Sequence, residues 1–148
     1  REVDVGVLLH QLATQAREAG VDAVVTSDAC VVTAAPTAMR RLLDNLLSNA
    51  ARYGGRRTVE ITARCESGDV RIGVLDHGPG IPSDQIEAVF RPFHRVEGSR
   101  SPGTGGFGLG LAIVRQLAQA NGWRVELENR SGGGLAAWLI VPQAGSPA

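Results

Sequence analysis

The chain has 148 residues, 15 basic and 15 acidic side chains and 43% hydrophobic residues, a composition typical of one globular domain with an apolar core. A net charge of zero and an aromatic content of 4% argue against a nucleic-acid-binding protein, which needs a basic face and stacking side chains. All the basic residues are arginine, and the absence of lysine excludes a P-loop and a protein-kinase catalytic site.

The first third of the chain predicts two helices with two strands between them. A short extended piece opens the chain, and two β-branched runs flank the polar pair Ser27-Asp28. The stronger helix starts at Pro36 and is expected to end at Gly54-Gly55. The predicted apolar stripe of the first helix contains Val7, Leu8, Leu12 and Ala16, and that of the second contains Met39, Leu42, Leu43, Leu46, Leu47 and Ala50.

The remainder predicts a hairpin, a long loop, a helix and a last pair of strands. The hairpin turns at Ser67–Asp69, and the loop that follows Phe93 is rich in Gly, Ser, Pro and Arg. Loops of this length are uncommon and are often functional lids. The last two strands flank Ser131–Gly134. The order βαββαββ, lid, αββ predicts an α+β domain over residues 1–148, with a single mixed sheet covered on one face by three helices.

The two cysteines, Cys30 and Cys65, lie in apolar, strand-like surroundings. We expect buried reduced thiols, because a disulfide framework or a metal site would need more cysteines or partner histidines. His10, His77 and His94 share no metal-ligand spacing. We therefore expect no metal site made of protein side chains alone.

No apolar run approaches the roughly 18–20 residues that cross a bilayer, and no signal peptide is visible. The sequence starts at Arg1 without a methionine. We expect it to be part of a longer protein, whose remainder could hold a membrane segment.

Polar residues interrupt the second helix on one face. Asn45, Asn49 and Arg52 follow the spacing i, i+4, i+7, although asparagine is a mediocre helix former. One interpretation is a solvated face with an interhelical hydrogen bond. The other is a Mg²⁺-phosphate site, because magnesium prefers oxygen ligands and shares them with substrate phosphates.

Asp76 ends a predicted strand whose alternation buries one face. A buried carboxylate needs a partner, and it could accept a hydrogen bond from an exocyclic amine such as that of adenine. Gly78 and Gly80 would let a flat ligand approach the backbone. The alternative is an ordinary Asp-Gly turn.

Five glycines lie within the eight residues Gly103–Gly110, directly at the predicted start of the third helix. A dinucleotide fingerprint would require a strand before these glycines, and the preceding "RVEGSRSP" cannot form a buried one. A helix N-terminus with exposed N–H groups is nevertheless a site for phosphate.

Four segments of the chain form a recognisable set: "NLLSNAARY", "DHGPGI", "FRPF" and "GGFGLGLA". They strongly resemble the N, G1, F and G2 boxes of sensor histidine kinases, and they follow the order of that family. The resemblance covers nearly the whole chain. It implies the Bergerat ATP-binding fold, shared with type II topoisomerases, Hsp90-like chaperones and mismatch-repair ATPases. This fold is a two-layer α/β sandwich with a mostly antiparallel sheet and a long ATP lid.

The resemblance also implies ATP and Mg²⁺ as ligands. Asn49 would coordinate Mg²⁺ with Asn45 in support, Asp76 would bind the adenine amine, and Phe90 and Phe93 would anchor the lid, Arg91 to Gly106. The residues implied to bind the nucleotide also include Arg52, Tyr53, Gly78, Gly80, Ile81, Phe93, Arg95, Arg100, Gly106, Gly108, Leu109 and Gly110.

The phosphoacceptor motif of the family is missing, since "LLHQLATQA" around His10 lacks its pattern. The resemblance therefore implies a catalytic domain that phosphorylates a histidine on the dimerisation domain of its own parent protein. That parent would be a homodimer in the cell membrane with this domain in the cytoplasm, and it would signal to a response regulator. An anti-sigma-factor serine kinase and a non-catalytic nucleotide-binding domain are the alternatives.

Overall fold

The computed structural model describes residues 1–53, 58–66, 68–91 and 107–142. The three helices are α1 (Val5–Glu18), α2 (Pro36–Tyr53) and α3 (Phe107–Asn121). The seven strands are β1 (Glu2–Asp4), β2 (Ala23–Ser27), β3 (Val31–Thr33), β4 (Val59–Glu66), β5 (Asp69–Leu75), β6 (Arg124–Asn129) and β7 (Leu135–Pro142). Two 3₁₀ turns, Ser83–Gln85 and Ala88–Phe90, follow β5. The predicted order of helices and strands is confirmed.

Five strands form the main sheet in the order β2-β4-β5-β7-β6. Only β2 and β4 run parallel, and the other pairs are antiparallel, which confirms the mixed, mostly antiparallel sheet. The prediction of a single sheet is wrong for β1 and β3, which form a separate antiparallel ribbon. Two further backbone bonds extend the ladder of this ribbon, from Val5 N at the start of α1 to Cys30 O (2.9 Å) and from Ala34 N to Arg1 O (2.8 Å).

The core lies between the three helices and one face of the main sheet. Ile61, Ile72 and Leu139 come from three neighbouring strands and are buried in it. α1 packs on β2 and β4, α2 on β5 and α3, and α3 on β6. The buried residues of α2 include Met39, Leu42, Leu43, Leu46, Leu47 and Ala50, which is the stripe that the helical spacing predicts.

The stripe of α1 differs from the prediction. Val7 is 53% exposed, whereas Val5 and Leu9 are buried together with Leu8, Leu12 and Ala13. The difference arises at the helix start, where the Asp4 side chain accepts a hydrogen bond from Val7 N (3.1 Å). This cap and the bond from Val5 to the ribbon fix the rotation of the helix, and Val7 turns toward solvent.

The prediction of reduced thiols is wrong, because Cys30 and Cys65 form a disulfide with their Cα atoms 5.9 Å apart. The parallel pairing of β2 with β4 carries the turn after β2 to the end of β4. There Asp28 N donates to Ala63 O (3.0 Å) and Cys65 N donates to the Asp28 carboxylate (3.3 Å). Two cysteines far apart in sequence thus become neighbours at one end of the sheet.

Candidate nucleotide-binding site

Asp76 directly follows β5 and is only 6% exposed. Its Oδ1 accepts hydrogen bonds from Gly78 N (2.9 Å) and Leu135 N (3.1 Å). Its Oδ2 receives no hydrogen bond from the described residues. The carboxylate is therefore oriented by two backbone donors, with one oxygen left as an acceptor for a ligand amine.

Residues 76–81, here called the base loop, lie against the hairpin of β6 and β7. Asn129 Nδ2 donates to Ile81 O (2.7 Å), and Asn129 Oδ1 accepts from Ile81 N (2.8 Å). At the other end of the loop, Arg130 Nη1 donates to Asp76 O (2.8 Å). The hairpin thus holds both ends of the segment in which Gly78 and Gly80 are expected to floor a base.

Sequence reasoning missed this hairpin contact and treated the hairpin turn as a simple connection. Gly134 has a φ of 106°, and a Cβ there would collide with the Asp76 carbonyl. Gly80 has a φ of 76°. Three consecutive glycines, Gly132–Gly134, are the signal that could have revealed a close backbone approach.

α2 carries the predicted metal-binding side chains. Asn45 and Asn49 are half-buried and Arg52 is exposed. The Asn49 Nδ2 atom is buried with no hydrogen-bond partner in the described part of the chain. A side-chain amide can turn over and exchange its nitrogen and oxygen positions. A buried, unpaired amide oxygen is a suitable ligand for a hard cation.

The glycine-rich helix start is α3, whose first turn contains Gly108, Leu109 and Gly110. Later in α3, Arg115 Nη2 bonds Glu87 Oε1 (2.8 Å), and its guanidinium lies 4.6 Å from the centre of the Phe90 ring. This contact joins α3 to the segment before the predicted lid.

The structure describes only part of the remaining predicted site. Ile81 is buried in the core, and Tyr53 is the last residue of α2. The other positions, Phe93, Arg95, Arg100 and Gly106, lie outside the described residues, as does the lid beyond Arg91.

The described elements that carry the predicted residues are neighbours. α2 packs against both α3 and β5, so the asparagine-bearing helix lies beside the strand that leads into Asp76 and beside the glycine-rich helix. Among the described residues, no group of three or more His, Cys, Asp or Glu side chains could hold a metal ion. A metal ion at this site would be bound by amide oxygens of the protein and by oxygens of a ligand.

Among the helices in the described ranges, none combines the length and the apolar composition of a membrane span.

Comparisons with known proteins agree with this geometry. Residues 34–145 match the model of the family described as histidine kinase-, DNA gyrase B-, and HSP90-like ATPase. The sensor protein CutS of Streptomyces coelicolor is 33% identical over 139 residues, covering 93% of this chain and 34% of CutS. The chain thus spans about a third of the length of the curated relatives it matches.

Two solved structures share the fold. The ATP binding domain of PrrB from Mycobacterium tuberculosis has a TM-score of 0.79 at 30% identity, with 100% of this chain and 98% of that one covered. Full-length ShkA in complex with AMPPNP has a TM-score of 0.80 at 29% identity, with 100% and 32% covered. The chain therefore belongs to the histidine kinase-, DNA gyrase B-, and HSP90-like ATPase family, as an ATP-binding domain of the sensor histidine kinase type.

Proposed function

We propose that this domain binds Mg-ATP and donates the γ-phosphate to a histidine on a separate phosphoacceptor domain of its parent protein. The observation that carries the proposal is the buried Asp76, whose Oδ1 is held by two backbone N–H groups. The match to PrrB, which is named as a sensor-type histidine kinase, and to ShkA, which was solved in complex with AMPPNP, supports it.

Adenine recognition would use the second oxygen of Asp76. The exocyclic amine of adenine is a donor, and the carboxylate is an acceptor on both oxygens. Gly78 and Gly80 carry no side chains that would cover the base. Guanine presents a carbonyl oxygen at the corresponding position, and this oxygen would face the carboxylate acceptor to acceptor. The site therefore favours adenine.

Phosphate and metal binding would fall to α2 and the start of α3. Asn49, with Asn45 beside it on α2, would hold Mg²⁺, because the Nδ2 position of its amide is buried and has no partner among the described residues. Bound Mg²⁺ would supply neutralisation of charge on the phosphates. Arg52 is exposed at the end of the same helix and would reach the phosphates. The first N–H groups of α3 lack intrahelical partners and would bind phosphate oxygens.

The transfer step needs a nucleophile from outside this domain. An imidazole nitrogen of the acceptor histidine forms a bond to the γ-phosphorus while the bond from that phosphorus to the β–γ bridging oxygen breaks, and ADP leaves. The imidazole proton passes to an acidic neighbour on the acceptor domain. The residues of this chain bind and orient the nucleotide, which is most of the catalysis in phosphoryl transfer.

We further propose that the domain, residues 1–148, is one part of a longer membrane-anchored homodimer. Its partners would be its own dimerisation domain and a response regulator. Relatives named as a sensor protein (CutS) and as a sensor-type histidine kinase (PrrB) support this assignment.

The first test is Asp76→Asn, with affinities for Mg-ATP and Mg-GTP measured by calorimetry. The backbone N–H groups of Gly78 and Leu135 would donate to the oxygen of the new side-chain amide. The amide nitrogen would then face the base as a donor. We expect ATP affinity to fall roughly 10- to 100-fold, which corresponds to the loss of a hydrogen bond to a charged group. We expect the preference for ATP over GTP to disappear. Equal ATP affinity in both proteins would contradict the adenine role.

The second test is phosphoryl transfer from labelled ATP, with the domain alone and with the separately produced acceptor domain of the parent. We expect label only on the acceptor domain, and we expect it to be lost in acid, because phosphohistidine is acid-labile. Acid-stable label would instead indicate a serine kinase. Stable label on His10, His77 or His94 of this chain would contradict the proposal.

A further inference from the structure

The base loop contains the two glycines that make it most adaptable, and a single side chain holds its end. Asn129, at the end of β6, meets both backbone groups of Ile81 at 2.7 and 2.8 Å. One donor and one acceptor on the same amide plane fix the peptide in position and in rotation. No other natural side chain of this length offers both groups, since aspartate lacks the donor.

Gly80 and Asn129 fit each other closely. A Cβ on Gly80 would collide with Asn129 Oδ1, and its φ of 76° is already disfavoured for other residues. The amide of Asn129 therefore occupies the space that a side chain at residue 80 would take. Glycine at position 80 leaves room for the Asn129 amide, and it would also leave room for a ligand that approaches the loop.

The opposite end of the base loop is held independently. Arg130 donates to the carbonyl of Asp76 (2.8 Å) and also contacts Glu60 Oε2 on β4 (3.1 Å). Leu135 N donates to the Asp76 carboxylate. Asp76 would therefore stay in place if Asn129 were lost, and only the Gly80–Ile81 end would be released.

We propose that Asn129 is a positioning residue for nucleotide recognition, which holds the Gly80–Ile81 backbone in its ligand-ready position before the base arrives. This inference rests on the proposed function. Two glycines give the free loop many conformations, and ordering it during binding would reduce affinity. A clamp formed on folding removes that cost from binding. Asn129 acts through Ile81 and does not touch the nucleotide.

The test uses Asn129→Ala and Asn129→Asp, with Asn121→Ala as the matched control. Asn121 is a half-buried asparagine that, like Asn129, donates to a backbone carbonyl, here that of Leu117 (2.8 Å) at the far end of α3. Mg-ATP affinity is measured well below the unfolding temperature of every variant. We expect Asn129→Ala to weaken ATP binding roughly tenfold, the value of about one or two net hydrogen bonds, while the control binds as the wild type does. Asn129→Asp should be no better than alanine, because its carboxylate would face the Ile81 carbonyl.

Amide hydrogen exchange of Ile81 in the nucleotide-free protein provides a readout that does not depend on binding. Exchange should become faster in Asn129→Ala and remain slow in the control. If the wild type binds ATP and Asn129→Ala binds it equally well, this inference is wrong even if the variant is less stable. If the wild type binds no ATP, the proposed function fails and the inference fails with it.

Discussion

Reduction of the Cys30–Cys65 disulfide should destabilise the domain without changing its site. The two cysteines are 35 residues apart in sequence. For a closed loop of that size, the chain-entropy relation gives about 13 cal/mol/K, or about 4 kcal/mol at 25 °C. We expect the free energy of unfolding to fall by up to this amount when the bond is reduced, because the unfolded chain regains the freedom that the crosslink removed.

The nucleotide affinity should not change, because the disulfide is remote from Asp76. Cys65 is paired with Val70, whereas Asp76 follows Leu75, which is paired with Glu60 at the other end of β4. Five residue-to-residue steps along an antiparallel strand separate the two ends, a distance of about 17 Å.

The assay is urea unfolding of the oxidised protein and of the protein in dithiothreitol, with Mg-ATP affinity measured for both. A thiol titration should count no free thiols before reduction and two after it. The double variant Cys30→Ala, Cys65→Ser serves as the control, since its stability should not respond to the reductant. Equal unfolding free energies in the oxidised and reduced wild type would refute the entropic reasoning.

Two further predictions follow from the site and its surroundings. Asn49→Asp should abolish productive Mg-ATP binding and leave the fold intact, because it places a further negative charge beside the phosphates; calorimetry that shows unchanged affinity would rule out the metal assignment. Arg115→Ala should lower the unfolding free energy by about 1 kcal/mol through the lost ring and carboxylate contacts, as measured by urea unfolding. The matched control, Arg124→Ala, removes only a long, exposed ion pair with Glu126 (3.8 Å) and should be neutral.

Local sequence patterns predicted the elements well where one helix face or strand face decides the structure. The spacing of Met39, Leu42 and Leu46 placed α2, because burial of that face alone accounts for the pattern. Periodicity alone places Val7 in the buried stripe, because helical spacing carries no information on the rotation that Asp4 imposes at the helix start. The family resemblance rests on short motifs such as the one that contains Asp76, and the match to the ATPase family confirms it.

Features that depend on distant pairing were not predictable in this way. The disulfide depends on the parallel pairing of β2 with β4, which no local pattern specifies. The separate ribbon of β1 and β3 depends on backbone bonds to Cys30 and Arg1. Asn129 looked like an ordinary residue at a strand end, because its partner Ile81 is 48 positions away.

The same long-range contacts determine when the site can form during synthesis of the protein. Asp76 and Ile81 leave the ribosome well before the residues that contact them, Asn129, Arg130 and Leu135. Each contact joins residues that are 48 to 59 positions apart in the chain. Such distant contacts form slowly and late in folding. A nascent chain that ends before Asn129 already contains every residue of the base loop but lacks the groups that fix it. Nucleotide binding can therefore stabilise this domain fully only after its last hairpin has been synthesised.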